Sequence, residues 1–508
     1  MTIILKDKGL TVNGQWYAPG SVIVGLDPDK EAAMIAGGNA TPGTGPVEGG
    51  GSGGTITGAP AIIEPVVVGI PATFTPAAGV PTSTQWAQGD VDVANANRPT
   101  FTVALADYAK TLAVKQYGTA PAGRQTAVSR AVLAGFMNIK LSNTVNLRAM
   151  RVGGVRGQVY DAGDSLLASY GATGAAYTGQ RTMAPLAQLA TLLTAAGLPA
   201  RADWSIGSGV ANTSAYAQTP ATWTDQDPRV TFSGGSVPAG FEVWGGRFYR
   251  LSSAGNKLIF TPGNTFDIGM ILFAKNTSGQ GNFTASIDGG TTTAATIADN
   301  DAVDVALTEI AVAAGSTALT LVRGAALSHI IGVGTRTSTA PGIEILNGAM
   351  SSCRVLTLAT PRSTSGVANI DSYNTRGCLA KALVPGIPKL GIANGHYNDR
   401  TFGRSSAQVA ADLTTLLTEM KTYGDVVYVN YPALSTATIS PALFNEYSTA
   451  CINAALALDV IVCDISKVQT DWTAGNARGD YYDDLHLNAQ GLAYVANMLK
   501  ALFFVPIY

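Results

Sequence analysis

Apolar positions fall into two different rhythms along the 508-residue chain. After residue 340, short and nearly continuous apolar runs alternate with longer amphipathic stretches. The runs are GIEIL (342–346), PKLGIA (388–393), VVYVNY (426–431) and VIVCDI (460–465). Continuity over so few residues marks strands buried on both faces. The intervening stretches 405–424, 440–458 and 488–503 space their apolar residues three and four apart, which predicts helices. Ser440 followed by Pro441 supplies an N-cap and a proline at the first helical position. A fifth apolar run, GQVYDA, ends in the turn Gly163-Asp164-Ser165. A helix over 182–197, stopped by Gly197 and Pro199, follows it. Strands alternating with helices predict a three-layer α/β domain around a parallel five-stranded sheet.

Residues 201–340 break that rhythm. KLIF, DIGMILF, NFTASI and ALTLV alternate with GN, DGG and RG turns, and no helix-length period stands out. This is the pattern of a β-sandwich inserted between two parts of the α/β domain, 150–200 and 341–508. Upstream, residues 60–128 read as short strands between turns. Residues 41–58, TPGTGPVEGGGSGGTITG, have the composition of a linker, and residues 1–40 form a small N-terminal attachment segment. The chain is therefore multidomain. Trp86 in the strand-like STQWAQ and the corner at Asp107–Tyr108 resemble the immunoglobulin-like modules of phage and bacterial surface proteins, without a cysteine pair. That resemblance implies spacing or adhesion.

Composition narrows the chemistry. Charged residues are 13% of the chain, against about 25% in an average domain. A net charge of −2 gives no electrostatic footprint for nucleic acid. No apolar run reaches the roughly 18 residues of a membrane-spanning helix. Lys6 and Lys8 interrupt what would be the apolar core of a signal peptide. Cys353, Cys378, Cys451 and Cys463 form no CxxC pair and read as buried free thiols. Only three histidines exist, His329, His396 and His486, so a multi-histidine metal site is nearly excluded. No metal or other cofactor is expected.

Active groups collect at the carboxyl ends of strands in an open parallel sheet, and three polar clusters fall there. The first is Gly163-Asp164-Ser165. The second, Asn394 to Asp399, follows PKLGIA. The third, Asp483-Asp484-Leu485-His486, precedes the last helix. A carboxylate three residues before a histidine can lie beside its imidazole. A serine hydroxyl needs such a base near neutral pH.

This ordered set resembles the SGNH, or GDSL, hydrolase superfamily over about 155–200 and 341–508. The resemblance implies Ser165 as nucleophile, His486 as general base and then acid, and Asp483 as the group that orients His486. It implies an oxyanion hole built from the Ser165 N–H, Asn398 and a third donor. The family's glycine for that donor corresponds to Ser352 in Asn347–Ser352, with Gly207 in Ser205-Ile206-Gly207 as the alternative. The family's Gly-x-Asn-Asp is altered too, with His396 in place of the glycine and Gly395 before it. His396 is a candidate substrate contact near Asn398. Asp484 reads as a solvent or capping group and His329 as structural.

Trp223, Trp244, Phe248 and Tyr249 in the insert are candidates for stacking on sugar rings, Trp244 and Tyr249 foremost. Together these features lead to the expectation of a carbohydrate O-acetyl esterase acting on bacterial surface polysaccharide. The chain would be carried on a phage virion through its N-terminal segment. The competing expectation is an inactive glycan-binding virion adhesin on the same scaffold.

Overall fold

A computed structural model describes most of residues 135–504. Outside the described residues there are 153, 175–177, 211–218, 239–243, 276–281, 289–292, 298–303, 325–326, 340–341, 360–374 and 469–470. Upstream of 135 it describes chiefly short strands and their neighbours. The chain divides into two compact units. One comprises Met1–Glu64, Pro71–Val103 and Lys110–Val132, and the other Pro65–Ile70, Ala104–Ala109 and Leu133–Tyr508.

In the first unit, Thr2–Leu5 pairs antiparallel with Val22–Val24 and with Ala40–Pro42. The start of the linker-like stretch, Thr41-Pro42, is therefore strand, and the rest of 43–58 lies outside the described residues. Further on, Val91–Asp92, Ser83–Gln88, Thr111–Ala120 and Gly123–Val128 form an antiparallel ladder. Trp86 is buried at its centre. Its ring centroid lies 5.6 Å from Phe74 and 5.9 Å from Phe101, and its Nε1 donates to the Arg98 carbonyl at 3.0 Å. The Asp107–Tyr108 corner lies outside the described residues.

The second unit is built on a seven-stranded sheet. Its strands are β1 (Phe136–Met137), β2 (Gly157–Ala162), β3 (Ala200–Arg201), β4 (Ile343–Leu346), β5 (Lys389–Asn394), β6 (Asp425–Asn430) and β7 (Ile461–Asp464). Their spatial order is β1-β7-β6-β5-β2-β4-β3, parallel throughout except for β1. The five strands expected from the apolar runs are β2, β4, β5, β6 and β7. The two additions are two-residue edge strands, too short to leave a periodic signal.

Alternate residues feed two cores. Val159, Ile345, Ile392, Val427 and Ile461 face one side, against α3 (Pro185–Ala195) and α6 (Ala489–Leu502). Tyr160, Leu346, Ala393, Tyr428 and Val462 face the other, against α4 (Ser406–Tyr423) and α5 (Pro441–Ala457). Between β1 and β2 lies α1 (Val145–Arg151), and between β2 and α3 lies α2 (Ser165–Ala168), a single turn. Both long helices on the second face start on serine caps: Ser405 accepts from Gln408 N and Ser440 from Leu443 N.

The stretch between β3 and β4 is a sandwich of two antiparallel sheets. One contains Trp204–Ile206, Ser328–Arg336, Phe266–Lys275 and Asp304–Ser316, with Tyr249–Leu251 also paired to Ser328–Arg336. The other runs Val230–Ser233, Lys257–Phe260, Leu319–Arg323, Phe283–Ile287, Thr293–Ile297. The strand Phe266–Lys275 reads as a continuous apolar run because both its faces are covered. Ile271 and Phe273 point into the sandwich core, while Met270 and Leu272 join the core around Tyr160 and Leu346. Full burial of each such side chain stabilises by about 1.5–3 kcal/mol. A seven-residue helix, Pro220–Gln226, opens the insert on a Thr219 cap and a proline at its first position. That signature is present in the sequence but too short to carry a helical period.

Candidate active site

Gly163 and Asp164 turn the chain sharply from β2 into α2. Asn394, the last residue of β5, fixes this turn at two points. Its Oδ1 accepts from Asp164 N at 3.0 Å and its Nδ2 donates to Asp164 Oδ1 at 2.9 Å. The approach is close enough that a Cβ on Gly163 would stand 2.0 Å from Asn394 Oδ1. Asp164 then caps α2 by accepting from Leu166 N at 3.1 Å. Burial pushes the Asp164 carboxyl up to about 7, although the Asn394 amide and the Leu166 N–H favour its charge. Ser165 is the first residue of α2, so its N–H has no acceptor within the helix.

The partner of Ser165 arrives from the far end of the unit. A tight loop brings Tyr482 N to the His486 carbonyl at 2.8 Å and bridges Tyr481 to Leu487. Inside it, Asp483 Oδ1 accepts from Leu485 N at 2.8 Å and His486 N at 2.6 Å. Asp483 Oδ2 lies 2.8 Å from His486 Nδ1, and His486 Nε2 lies 3.1 Å from Ser165 Oγ. A carboxylate only accepts, so Nδ1 carries the proton and Nε2 is left to receive one. Burial works against the Asp483 charge. The His486 ring and the two backbone donors outweigh it and hold this carboxyl below the usual carboxylate range. The Tyr170 ring lies 4.2 Å from the His486 ring, centroid to centroid, and braces its other side.

The candidate oxyanion groups Ser352 and Asn398 sit on a loop and on an adjoining short helix, Tyr397–Thr401. Asn398 Nδ2 donates to the Cys353 carbonyl at 2.8 Å and lies 3.4 Å from Asp164 Oδ2. Asp399 accepts from Val355 N at 2.7 Å and from Leu356 N at 3.2 Å, capping the helix Val355–Ala359. The loop bearing Ser352 and Cys353 is thus tied to the short helix Tyr397–Thr401 that bears Asn398. Ser352 has a φ of 65°, in the left-handed region that favours glycine. The alternative donor, Gly207, does not serve: its N–H donates to the Ile331 carbonyl at 2.8 Å. Its φ of 60° and a would-be Cβ 2.2 Å from the Gly245 carbonyl oxygen account for the glycine there structurally.

The expected substrate contacts away from these loops are corrected by burial. His396 is fully enclosed by Tyr431, Phe444 and Tyr447, and its Nε2 lies 3.4 Å from Ser448 Oγ. Trp244 is buried between insert and sheet, donating from Nε1 to the Asp161 carbonyl at 2.8 Å. Tyr249 is buried in the sandwich core, its hydroxyl donating to the Gly234 carbonyl. Trp223 and Phe248 are buried as well. None of these rings offers a face to a sugar. His329 is buried and accepts from Arg250 Nε at 2.9 Å, and the Asp484 carbonyl accepts from Ser435 N at 3.1 Å. All four cysteines are buried thiols outside any disulfide. Among the described residues, no group of three His, Cys, Asp or Glu is placed to hold a metal ion, and no helix is long and apolar enough to cross a membrane.

The positioning roles of Asn394, Asp399 and Tyr170 are not evident in the sequence. Asn394 closes a strand and Asp399 follows Asn398, so both were within reach of a motif reading. Tyr170 carries no motif signal.

No family model and no curated protein matches the chain. Solved structures do. One is a peptidoglycan O-acetylesterase, 13% identical, with a TM-score of 0.50 over 70% of this chain and 93% of that one. Another is a member of the lipolytic G-D-S-L family from Veillonella parvula, 16% identical, with a TM-score of 0.23 over 32% of this chain and 81% of that one. A third is an active-site mutant of a family two carbohydrate esterase from Clostridium thermocellum, 13% identical, with a TM-score of 0.25 over 50% and 92%. The first of these shows that the chain shares the α/β fold of an esterase.

Proposed function

We propose that the chain is a serine ester hydrolase that removes O-acetyl groups from a glycan. The observation that carries this reading is the relay from Asp483 through His486 to Ser165, with Nε2 3.1 Å from the serine oxygen. The fold shared with an O-acetylesterase supports the acyl class. A bacterial surface polysaccharide as substrate and a virion as carrier belong to the same proposal, on the strength of composition and modular layout.

The steps follow from the geometry. Ser165 Oγ attacks the ester carbonyl carbon while His486 Nε2 takes its proton. Asp483 stabilises the resulting imidazolium. The oxyanion meets the Ser165 N–H, with the Ser352 loop and the Asn398 amide at its side. The bond to the sugar oxygen breaks and His486 returns the proton to that oxygen. Water then attacks the acetyl-serine, His486 again takes and returns a proton, and acetate leaves.

A fluorophosphonate probe should label the wild-type protein and not Ser165→Ala. Acetate should be released from an aryl acetate and from acetylated polysaccharide, with losses of about 10³-fold or more in Ser165→Ala and His486→Ala. A wild-type protein that neither reacts with the probe nor releases acetate would be a binding protein on this scaffold.

A further inference from the structure

We infer that Arg354 forms an anion-binding subsite beside the reacting ester and that the glycan is acidic, carrying ring carboxylates. This deepens the ester hydrolase reading and rests on it. Arg354 directly follows Cys353, whose carbonyl holds the Asn398 amide, and lies two residues from Ser352. It is therefore covalently part of the loop that faces the nucleophile's turn. Its guanidinium carbon stands 4.7 Å over the ring of Phe402, four residues after Asn398. Phe402 is itself 53% exposed.

A ring face holds a guanidinium in place without using its N–H donors. Among the described residues Arg354 makes no ion pair, and its buried Nε has no hydrogen-bond partner. Several other arginines of this unit are in ion pairs. Arg156 pairs with Glu344, Arg201 with Asp203, Arg229 with Asp227, Arg336 with Glu309 and Arg404 with Asp412. The neighbouring carboxylate, Asp399, accepts from the Val355 and Leu356 backbone and feels the Arg354 charge without a hydrogen bond to it. Arg354 is thus a guanidinium held against a ring, partly exposed, on the loop that carries Ser352 and Cys353. A guanidinium matches a carboxylate bidentately. An exposed ring beside it offers a sugar an apolar platform.

The test compares acetylated polygalacturonate with acetylated xylan, using wild type, Arg354→Gln and Arg354→Lys. Wild type should prefer the acidic glycan, and added salt should erode that preference. In Arg354→Gln the acidic-to-neutral ratio of kcat/KM should fall about 10-fold or more, mainly through KM, with Arg354→Lys intermediate. A wild type indifferent to glycan charge, or a ratio unchanged in Arg354→Gln, would overturn the inference. If wild type hydrolyses no ester, the hydrolase reading fails, and binding of de-esterified polygalacturonate to the full chain decides this one. Salt-sensitive binding lost in Arg354→Gln supports the subsite, and no binding refutes it.

Discussion

At the scale of single residues, Ser165, Asp483 and His486 were legible as candidates because they sit in short motifs whose local chemistry travels with them. Asp483 three residues before His486 closes its own turn through two backbone N–H bonds, so spacing alone brings carboxylate to imidazole. In Asp483→Asn the amide can present an N–H to Nδ1 and stabilise the wrong tautomer. The turnover number should fall on the order of 10³-fold with the melting temperature little changed, as steady-state kinetics and thermal melts would show. Ser352 was legible as a departure from a glycine, and its left-handed backbone gives the reason a glycine suits that position.

His396 was not legible, because enclosure by Tyr431, Phe444 and Tyr447 is assembled from distant segments. Burial lowers its pKa to about 3 from an ordinary 6.5. The unfolded chain therefore binds this proton first as pH falls. The contribution of His396 to stability is complete above about pH 6.5 and drains away toward pH 3. Asp161 and Asp164, pushed up to about 7 by burial, act in the opposite sense over an overlapping range. Only a difference measurement isolates the histidine. Chemical denaturation at pH 7 and pH 4.5 should show a smaller acid loss in His396→Gln than in wild type.

Elements were readable where period and punctuation agreed. The five long strands of the parallel sheet and the helices behind Ser405 and Ser440 follow from apolar runs and caps. The dipeptide strands β1 and β3 exist only because an adjoining strand offers them a ladder. The turn between β2 and α2 shows how an element boundary becomes part of the site. Gly163→Ala places a methyl where Asn394 Oδ1 stands and forces that amide off Asp164. We expect a kcat loss of about 10-fold or more, with the helical circular dichroism retained, since displacing positioned groups by about 1 Å can cost 10²-fold.

Across the whole second unit, the sandwich looked in sequence like a separable insert, and the boundary residues 200 and 341 were the visible cue. Its covered sheet and the α/β sheet in fact share one core. Arg181 stitches them polarly as well. It is buried and donates to the carbonyls of Asn347, Ala349, Ile206 and Gly245, the first two on the β4 side and the last two in the insert. Burial lowers its pKa to about 10, with Asp161 pulling the other way. Arg181→Met leaves those acceptors dry and unpaired. It should cost on the order of 3–5 kcal/mol in denaturant unfolding and lower activity through the Asn347–Ser352 loop.

β2, an interior strand of the sheet, is made early, and its partners β4 and β5 come late. Asp164 waits 230 residues for Asn394, and Ser165 waits 321 residues for His486. A chain emerging from the ribosome must therefore carry an unsealed, apolar ribbon through synthesis of the entire insert. Such non-local closure is slow and prone to aggregation. Nascent chains halted before Asp483 should bind holdase chaperones and show no hydrolysis, because the proton acceptor His486 has yet to be translated.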